Sequence, residues 1–171
     1  TKKVILLKWK VLVTRKIPDR GINLLKGQCE VDVCNQNGVI NKKDLIKKLK
    51  SKNYDALLCL LTDKIDEEIL SSVGNNLKII SNYAVGFDNI DIKECSKRNI
   101  IVTNTPNVLN QAVAEHAIAL MMAVSRRIPE ADRWTRQGNY KGWDPNGFIG
   151  TELNGKTIGI VGAGRIGTVV A

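Results

Sequence analysis

The stretch Lys156-Thr-Ile-Gly-Ile-Val-Gly-Ala-Gly-Arg-Ile-Gly-Thr-Val-Val-Ala171 narrows the possible folds of this chain more than any other. Thr157 to Val161 is a short apolar run rich in β-branched residues and reads as a buried strand. Gly162, Gly164 and Gly167 then fall in the spacing G-x-G-x-x-G. Gly162 permits a tight turn, Gly164 lets a pyrophosphate approach the backbone, and Gly167 lets a helix pack close to the strand. Arg165 to Ala171 opens that helix, whose free N–H groups and positive dipole end suit a phosphate. A bare glycine triplet carries little. One that follows a strand and opens a helix reads as a dinucleotide site, the alternative being a structural glycine-rich turn.

A βαβ unit needs roughly thirty residues, and an acidic residue about twenty positions past the glycines to hold a ribose. Neither follows Gly167, so the expectation is the front part of a longer protein, with its second half-domain truncated.

Upstream, strand and helix patterns alternate. Val11 to Val13 reads as a first strand. Ile17-Pro18-Asp19 opens a helix that Gly27 ends, with Ile22, Leu24 and Leu25 as its apolar face. Glu30 to Cys34 is a second strand. Asn41 with Asp44 starts a lysine-rich helix that runs to about Lys52, with Leu45, Ile46 and Leu49 inward. Asp55 to Leu61 is nearly continuously apolar, as a parallel strand buried on both faces should be. Asp66, Glu67 and Glu68 sit in the first turn of the next helix, where carboxylates complement the dipole, so they read as a helix start and not as a catalytic acid cluster. Leu77 to Ile80 is a fourth strand, Ile92 to Lys97 a short helix, and Ile100 to Val102 a fifth strand. Such alternation argues for a doubly wound parallel sheet with right-handed crossovers. The segment from Thr1 to Lys10, with Val4 to Leu7, reads as an extra edge strand or a leader.

Pro106 forces Thr105 into an extended conformation. A helix from about Asn110 to Arg127 follows, apolar around almost its whole circumference. Such a helix must be covered all round, so part of it is expected on a second subunit or at a domain junction. His116 on this helix is read as buried or at an interface and not as a general base. Pro129 to Gln137 is a more polar helix, and 138–150 a loop or arm.

Composition excludes several classes. The chain is 43% hydrophobic and 25% charged over 171 residues, ordinary for a globular protein. No apolar run reaches the roughly twenty residues of a membrane span, and the reading is cytoplasmic. The four cysteines, Cys29, Cys34, Cys59 and Cys95, form no C-x-x-C pair, and the one histidine is remote from them, so no zinc site is expected. Cys59 reads as a small core residue. The net charge of +9 raises nucleic-acid binding. The lysines from Lys42 to Lys52 spread around their helix and no aromatic residues interleave with them, so neither nucleic acid nor a membrane surface is the expected partner.

Four motifs carry a family resemblance: Asn82-Tyr-Ala-Val-Gly-Phe-Asp-Asn-Ile-Asp91, Val102-Thr-Asn-Thr-Pro106, Val113-Ala-Glu-His116 and Gly155 to Gly167. Together they resemble the D-2-hydroxyacid dehydrogenases, most closely the glyoxylate and hydroxypyruvate reductases. The resemblance implies a flavodoxin-like substrate domain at 1–104. At 105–171 it implies an interdomain and dimer helix with the first βα unit of a Rossmann NAD(P)-binding domain. It implies hydride transfer from NAD(P)H to a small 2-keto acid, and a homodimer through the 110–127 helix. It places the substrate carboxylate on the backbone N–H groups of Val85 and Gly86. It places the pyrophosphate on the turn of Gly162, Gly164, Arg165, Ile166 and Gly167, and Val113 at the nicotinamide. Position 163 is Ala where many relatives carry Leu. The family's catalytic arginine, glutamate and histidine lie downstream of the glycine motif, so no catalytic residue is expected here and His116 is not that histidine. The segment taken alone is expected to be inactive. Two other readings stand beside this one: a non-enzymatic dinucleotide-sensing interaction protein on the same fold, and a plain dimerisation fragment.

Overall fold

The computed structural model describes residues 8–171, so the strand or leader expected at Val4 to Leu7 lies outside the described residues. The chain divides into two compact units, Thr1–Pro106 and Asn107–Ala171.

The first unit alternates strand and helix: β1 (Lys10–Val13), α1 (Asp19–Gln28), β2 (Glu30–Val33), α2 (Lys42–Ser51), β3 (Ala56–Leu60), α3 (Glu67–Ser72), β4 (Ile79–Tyr83), α4 (Ile92–Lys97) and β5 (Ile101–Thr103). The strands form one sheet in the order β2-β1-β3-β4-β5, every pair parallel. This is the flavodoxin-like order. Its register is set by the period-2 alternation of side chains. Leu12 lies opposite Leu57 and Leu57 opposite Ile80, so one row of apolar residues crosses the sheet. That row meets Leu45 and Leu49 of α2, Ile69 and Leu70 of α3, and Cys95 of α4. Val11 and Val13 point to the other face and pack on Ile17 and on Ile22 of α1. The sheet is thus covered on both faces, which explains the nearly unbroken apolar run of β3 at its centre.

Helix starts follow local chemistry. Asn41 accepts the Asp44 N–H at 2.9 Å, Asp66 accepts Ile69 N–H at 3.3 Å, and Asp91 accepts Glu94 N–H at 2.9 Å. Asp66 is therefore the N-cap of α3 with Glu67 and Glu68 in its first turn, and Lys42 reaches both Asp66 (2.6 Å) and Glu68 (2.9 Å). In α1, Ile22 is buried, but Leu24 is 70% exposed and does not belong to the apolar face. Two positions separate them, and residues i and i+2 lie on different sides of a helix.

The second unit contains α5 (Asn110–Ser125), α6 (Ile128–Arg136) and α7 (Arg165–Val170). The expected helix stops two residues early, because Arg127 takes a left-handed φ of +54° and starts α6 as its N-cap. Of α5, only Ala114 is buried. Val113, Ile118, Leu120, Met122 and Val124 are exposed, and so is His116, so of its two readings, buried or at an interface, burial within this chain does not hold. The stretch from Thr157 to Val161 is not a strand. A strand exists through ladder bonds to a neighbour, and among the described residues no ladder partner accompanies it; Ile158 and Val161 are exposed.

No helix among the described residues is long and apolar enough to cross a membrane. Among them, too, no group of three or more His, Cys, Asp and Glu is placed to share a metal ion.

Candidate functional site

In a parallel sheet, ligands bind outside the carboxyl ends of the strands. The loop that leaves β4 there is 84–91. The sequence pattern ended this strand at Ile80, but it continues through Asn82 and Tyr83, which pair with Cys59 and Leu60 of β3. Polar Asn82 is tolerated because it is fully buried and fully bonded. The loop begins one residue beyond Tyr83.

Three consecutive carbonyls of this loop are held by the protein. Ala84 O accepts both Thr105 N–H (2.9 Å) and Thr105 Oγ1 (3.0 Å). Val85 O accepts Asn104 Nδ2 at 2.7 Å. Gly86 O accepts Asn82 Nδ2 at 2.8 Å. The N–H groups of Val85 and Gly86 meet no acceptor among the described residues. Val85 is half-buried and Gly86 exposed, so two unmatched donors stand at the carboxyl end of a parallel sheet. Orphan amides of this kind suit an anion. A Cβ on Gly86 would stand 3.0 Å from Asp88 Oδ1, the end of an exposed side chain that can move aside.

Below the loop, Asn89 faces Asn82 in a reciprocal amide pair, Asn82 Nδ2 to Asn89 Oδ1 at 2.9 Å and Asn89 Nδ2 to Asn82 Oδ1 at 3.3 Å. Asn89 Nδ2 also donates to Leu60 O (3.2 Å) and Asp63 O (3.0 Å), at the corner after β3. The buried Asp63 carboxylate accepts Leu60 N–H at 2.8 Å and the Thr14 hydroxyl at the end of β1. The Cys59 thiol donates to Asn82 Oδ1 at 3.4 Å, and burial pushes its pKa up to about 12. It is a neutral donor at physiological pH and no nucleophile. Burial likewise pushes Cys95 up to about 11 and raises Cys34.

The motif reading singled out this loop but assigned no role to Asn82, Asn89, Asn104 or Thr105. Two asparagines bracketing a glycine-containing loop were the available signal.

In the second unit, α7 packs on α5, so the glycine turn and the helix carrying Val113 lie side by side. Val113 is on the first turn of α5 and 40% exposed. Gly162 has a φ of +96°, in the left-handed region, so the tight turn needs glycine there. A Cβ on Gly167 would collide with the Gly162 carbonyl oxygen, so the turn and α7 interlock only without a side chain. A Cβ on Gly164 would meet nothing within 4 Å: the backbone faces open space where a bulky anion must approach. Gly164 is the N-cap of α7 and contributes no side-chain cap, while Arg165 and Ile166 form the first turn. These residues fit a dinucleotide pyrophosphate, which needs unmatched N–H groups and an unobstructed backbone. Val85 and Gly86 belong to the first unit, and Val113 and the glycine turn to the second.

Residues 11–164 match the family of D-isomer specific 2-hydroxyacid dehydrogenases, catalytic domain. The chain is 46% identical over 169 residues to the glyoxylate reductase of Pyrococcus furiosus, covering 96% of this chain and 49% of that protein. It is 51% identical over 164 residues to the glyoxylate reductase of Thermofilum pendens, covering 95% and 48%. Among solved structures it is similar to the NADPH-dependent glyoxylate/hydroxypyruvate reductase of Sinorhizobium meliloti in complex with NADP and malonate. That likeness has a TM-score of 0.75 and 28% identity, and covers 95% of this chain and 49% of that one. The chain spans about half the length of the curated relatives it matches. With a parallel flavodoxin-like sheet, a loop of unmatched amides after β4 and an interlocked glycine turn, the chain belongs to the D-isomer specific 2-hydroxyacid dehydrogenases.

Proposed function

We propose that this chain supplies the anchoring groups of an oxidoreductase that transfers hydride from NAD(P)H to a small 2-keto acid of the glyoxylate or hydroxypyruvate type. The observation that carries the reading is the loop after β4. Its carbonyls at Ala84, Val85 and Gly86 are all bonded inward, while the N–H groups of Val85 and Gly86 are left without an acceptor. A substrate carboxylate fits those two donors, and a rigid loop presents them with little reorganisation on binding.

The nicotinamide dinucleotide, when bound, supplies the hydride. The chain's own part is to hold it. Gly162, Gly164, Arg165, Ile166 and Gly167 receive the pyrophosphate on backbone N–H groups, with Arg165 adding a charge-assisted contact, and Val113 lines the nicotinamide pocket. The polarising arginine and the proton-donating histidine that the family resemblance implies lie beyond these motifs. They have no counterpart among residues 1–171, and His116 does not fill the role. The two domains are the substrate unit at 1–104 and the helix-plus-nucleotide segment at 105–171. The exposed apolar residues of α5 serve a homodimer interface, with a second copy of this helix as the fitting partner.

The test is glyoxylate-dependent oxidation of NADPH and of NADH, followed by absorbance. The 171-residue chain is expected to turn over negligibly and to bind the nucleotide weakly. A chain extended to the full length of the curated relatives is expected to be active. A full-length protein that binds the nucleotide but reduces no 2-keto acid would favour the dinucleotide-sensing reading. Robust turnover by the 171-residue chain would overturn the division of labour proposed here.

A further inference from the structure

We infer that Asn82 and Asn89 are positioning residues for carboxylate binding, acting as one buried brace that aims the Val85 and Gly86 amides outward. The inference rests on the carboxylate reading of that loop and goes beyond it by naming what holds the loop in its binding geometry.

The loop's only carbonyl bonded from beneath, by its own strand, is Gly86 O, and its donor is Asn82 Nδ2 at 2.8 Å. Asn82 cannot turn its amide over. A flip would set Oδ1 against Gly86 O and bring Nδ2 toward the Cys59 thiol, replacing two attractive contacts with two poor ones. Its second proton goes to Asn89 Oδ1, and its oxygen receives Cys59 and Asn89. Every hydrogen-bonding position of this buried amide is thereby used, which defines one orientation.

Asn89 closes the loop from its far end. It also ties the loop to the Leu60 and Asp63 carbonyls, and its own backbone is paired with the next corner, where Ile65 N donates to Asn89 O at 2.8 Å. Asp63 in turn binds Thr14 at the end of β1. The ends of β1, β3 and β4 are therefore joined by side chains, in addition to their ladder bonds. An aspartate at 82 would lack both donors. A leucine of similar volume would fill the space and leave Gly86 O without a partner. In either case the peptide between Gly86 and Phe87 loses the anchor on its carbonyl, and the Val85 and Gly86 amides beside it are held less firmly.

Backbone 1H–15N spectra of the 171-residue chain, titrated with oxamate as a non-reacting isostere of a small 2-keto acid, test this. In the parent chain the Val85 and Gly86 resonances are expected to shift saturably. Asn82→Leu is expected to weaken that binding by about tenfold, as loss of one organising hydrogen bond would, and to speed Val85 and Gly86 amide exchange. Asn89→Asp keeps the acceptor for Asn82 but loses the donors to Leu60 and Asp63. It is expected to weaken oxamate by about threefold and to speed exchange at Ile65. If Asn82→Leu fails to fold, Asn89→Asp alone decides. Absence of shifts at Val85 and Gly86 in the parent chain overturns the carboxylate reading and this inference with it. Parent binding with unchanged affinity in the folded variants, and only a lower unfolding midpoint, overturns the positioning role while leaving the carboxylate reading intact.

Discussion

Single atoms decide the glycine turn. Gly162 is required by its backbone angle of +96°, Gly167 by the carbonyl it would strike, and Gly164 by neither. The three glycines of one motif are therefore not equivalent. Gly167→Ala is expected to destabilise the second unit by about 2 kcal/mol, within the roughly 1–3 kcal/mol of an overpacked site. Urea denaturation followed by tryptophan fluorescence reads this, since Trp134 and Trp143 both lie in that unit. Gly164→Ala should leave stability within about 0.5 kcal/mol, as a substitution into open space does, while impairing nucleotide binding. A large loss of stability from Gly164→Ala would show that the open space is not needed by a ligand but filled by the chain itself.

The elements of the first unit are joined by ion pairs as well as by packing. Lys42 of α2 reaches Asp66, the N-cap of α3, and Glu68 in its first turn. The hydrogen bond from Lys42 holds the Asp66 carboxyl below its ordinary value of 3.8. A carboxylate with a depressed folded-state pKa contributes stability that is complete above its unfolded value and disappears as pH falls through the folded one. The Lys42 contribution is therefore complete at neutral pH, begins to fade below about pH 3.8 and is lost as pH falls through the lower folded-state value. Lys42→Ala should lower the urea midpoint at pH 7 only slightly, because the pair is partly exposed and screened by solvent. The difference from the parent chain should close at about pH 2. Urea titrations at both pH values measure this, and a difference that persisted at the lower pH would point to lost packing and not lost charge. At the edge of the sheet, β2 carries Glu30 and Asp32, held by Lys52 at 2.7 and 2.8 Å. Charges on an edge strand oppose the addition of a further strand.

Across the whole molecule the two units differ in how they are covered. The sheet unit hides its apolar residues between strands and four helices. The second unit leaves Leu120 at 53%, Met122 at 43% and Val124 at 75% exposure. Apolar area returns about 25 cal/mol per Å² when it leaves water, and in the proposed homodimer a second copy of α5 would cover this surface. Leu120→Asp is expected to convert a dimer into a monomer in sedimentation velocity at micromolar concentration, with the first unit's stability unchanged. A parent chain that sediments as a clean monomer would count against the dimer helix.

Local chemistry was enough to read the sheet unit. The cap at Asn41, the apolar run of β3 and the alternation of strands and helices all follow from interactions within a few residues, so they are legible along the chain. The glycine spacing was legible for the same reason. Interactions between distant segments were not. Asn82 belongs to β4 because Cys59 lies beside it, and its amide has a purpose only where Gly86, Asn89 and Cys59 converge. Thr157 to Val161 has the composition of a strand, yet strand identity is conferred by a neighbour and not by composition. His116 and the faces of α5 show the same limit: a helical pattern reveals which residues are apolar, whereas what covers them depends on which surfaces meet in three dimensions.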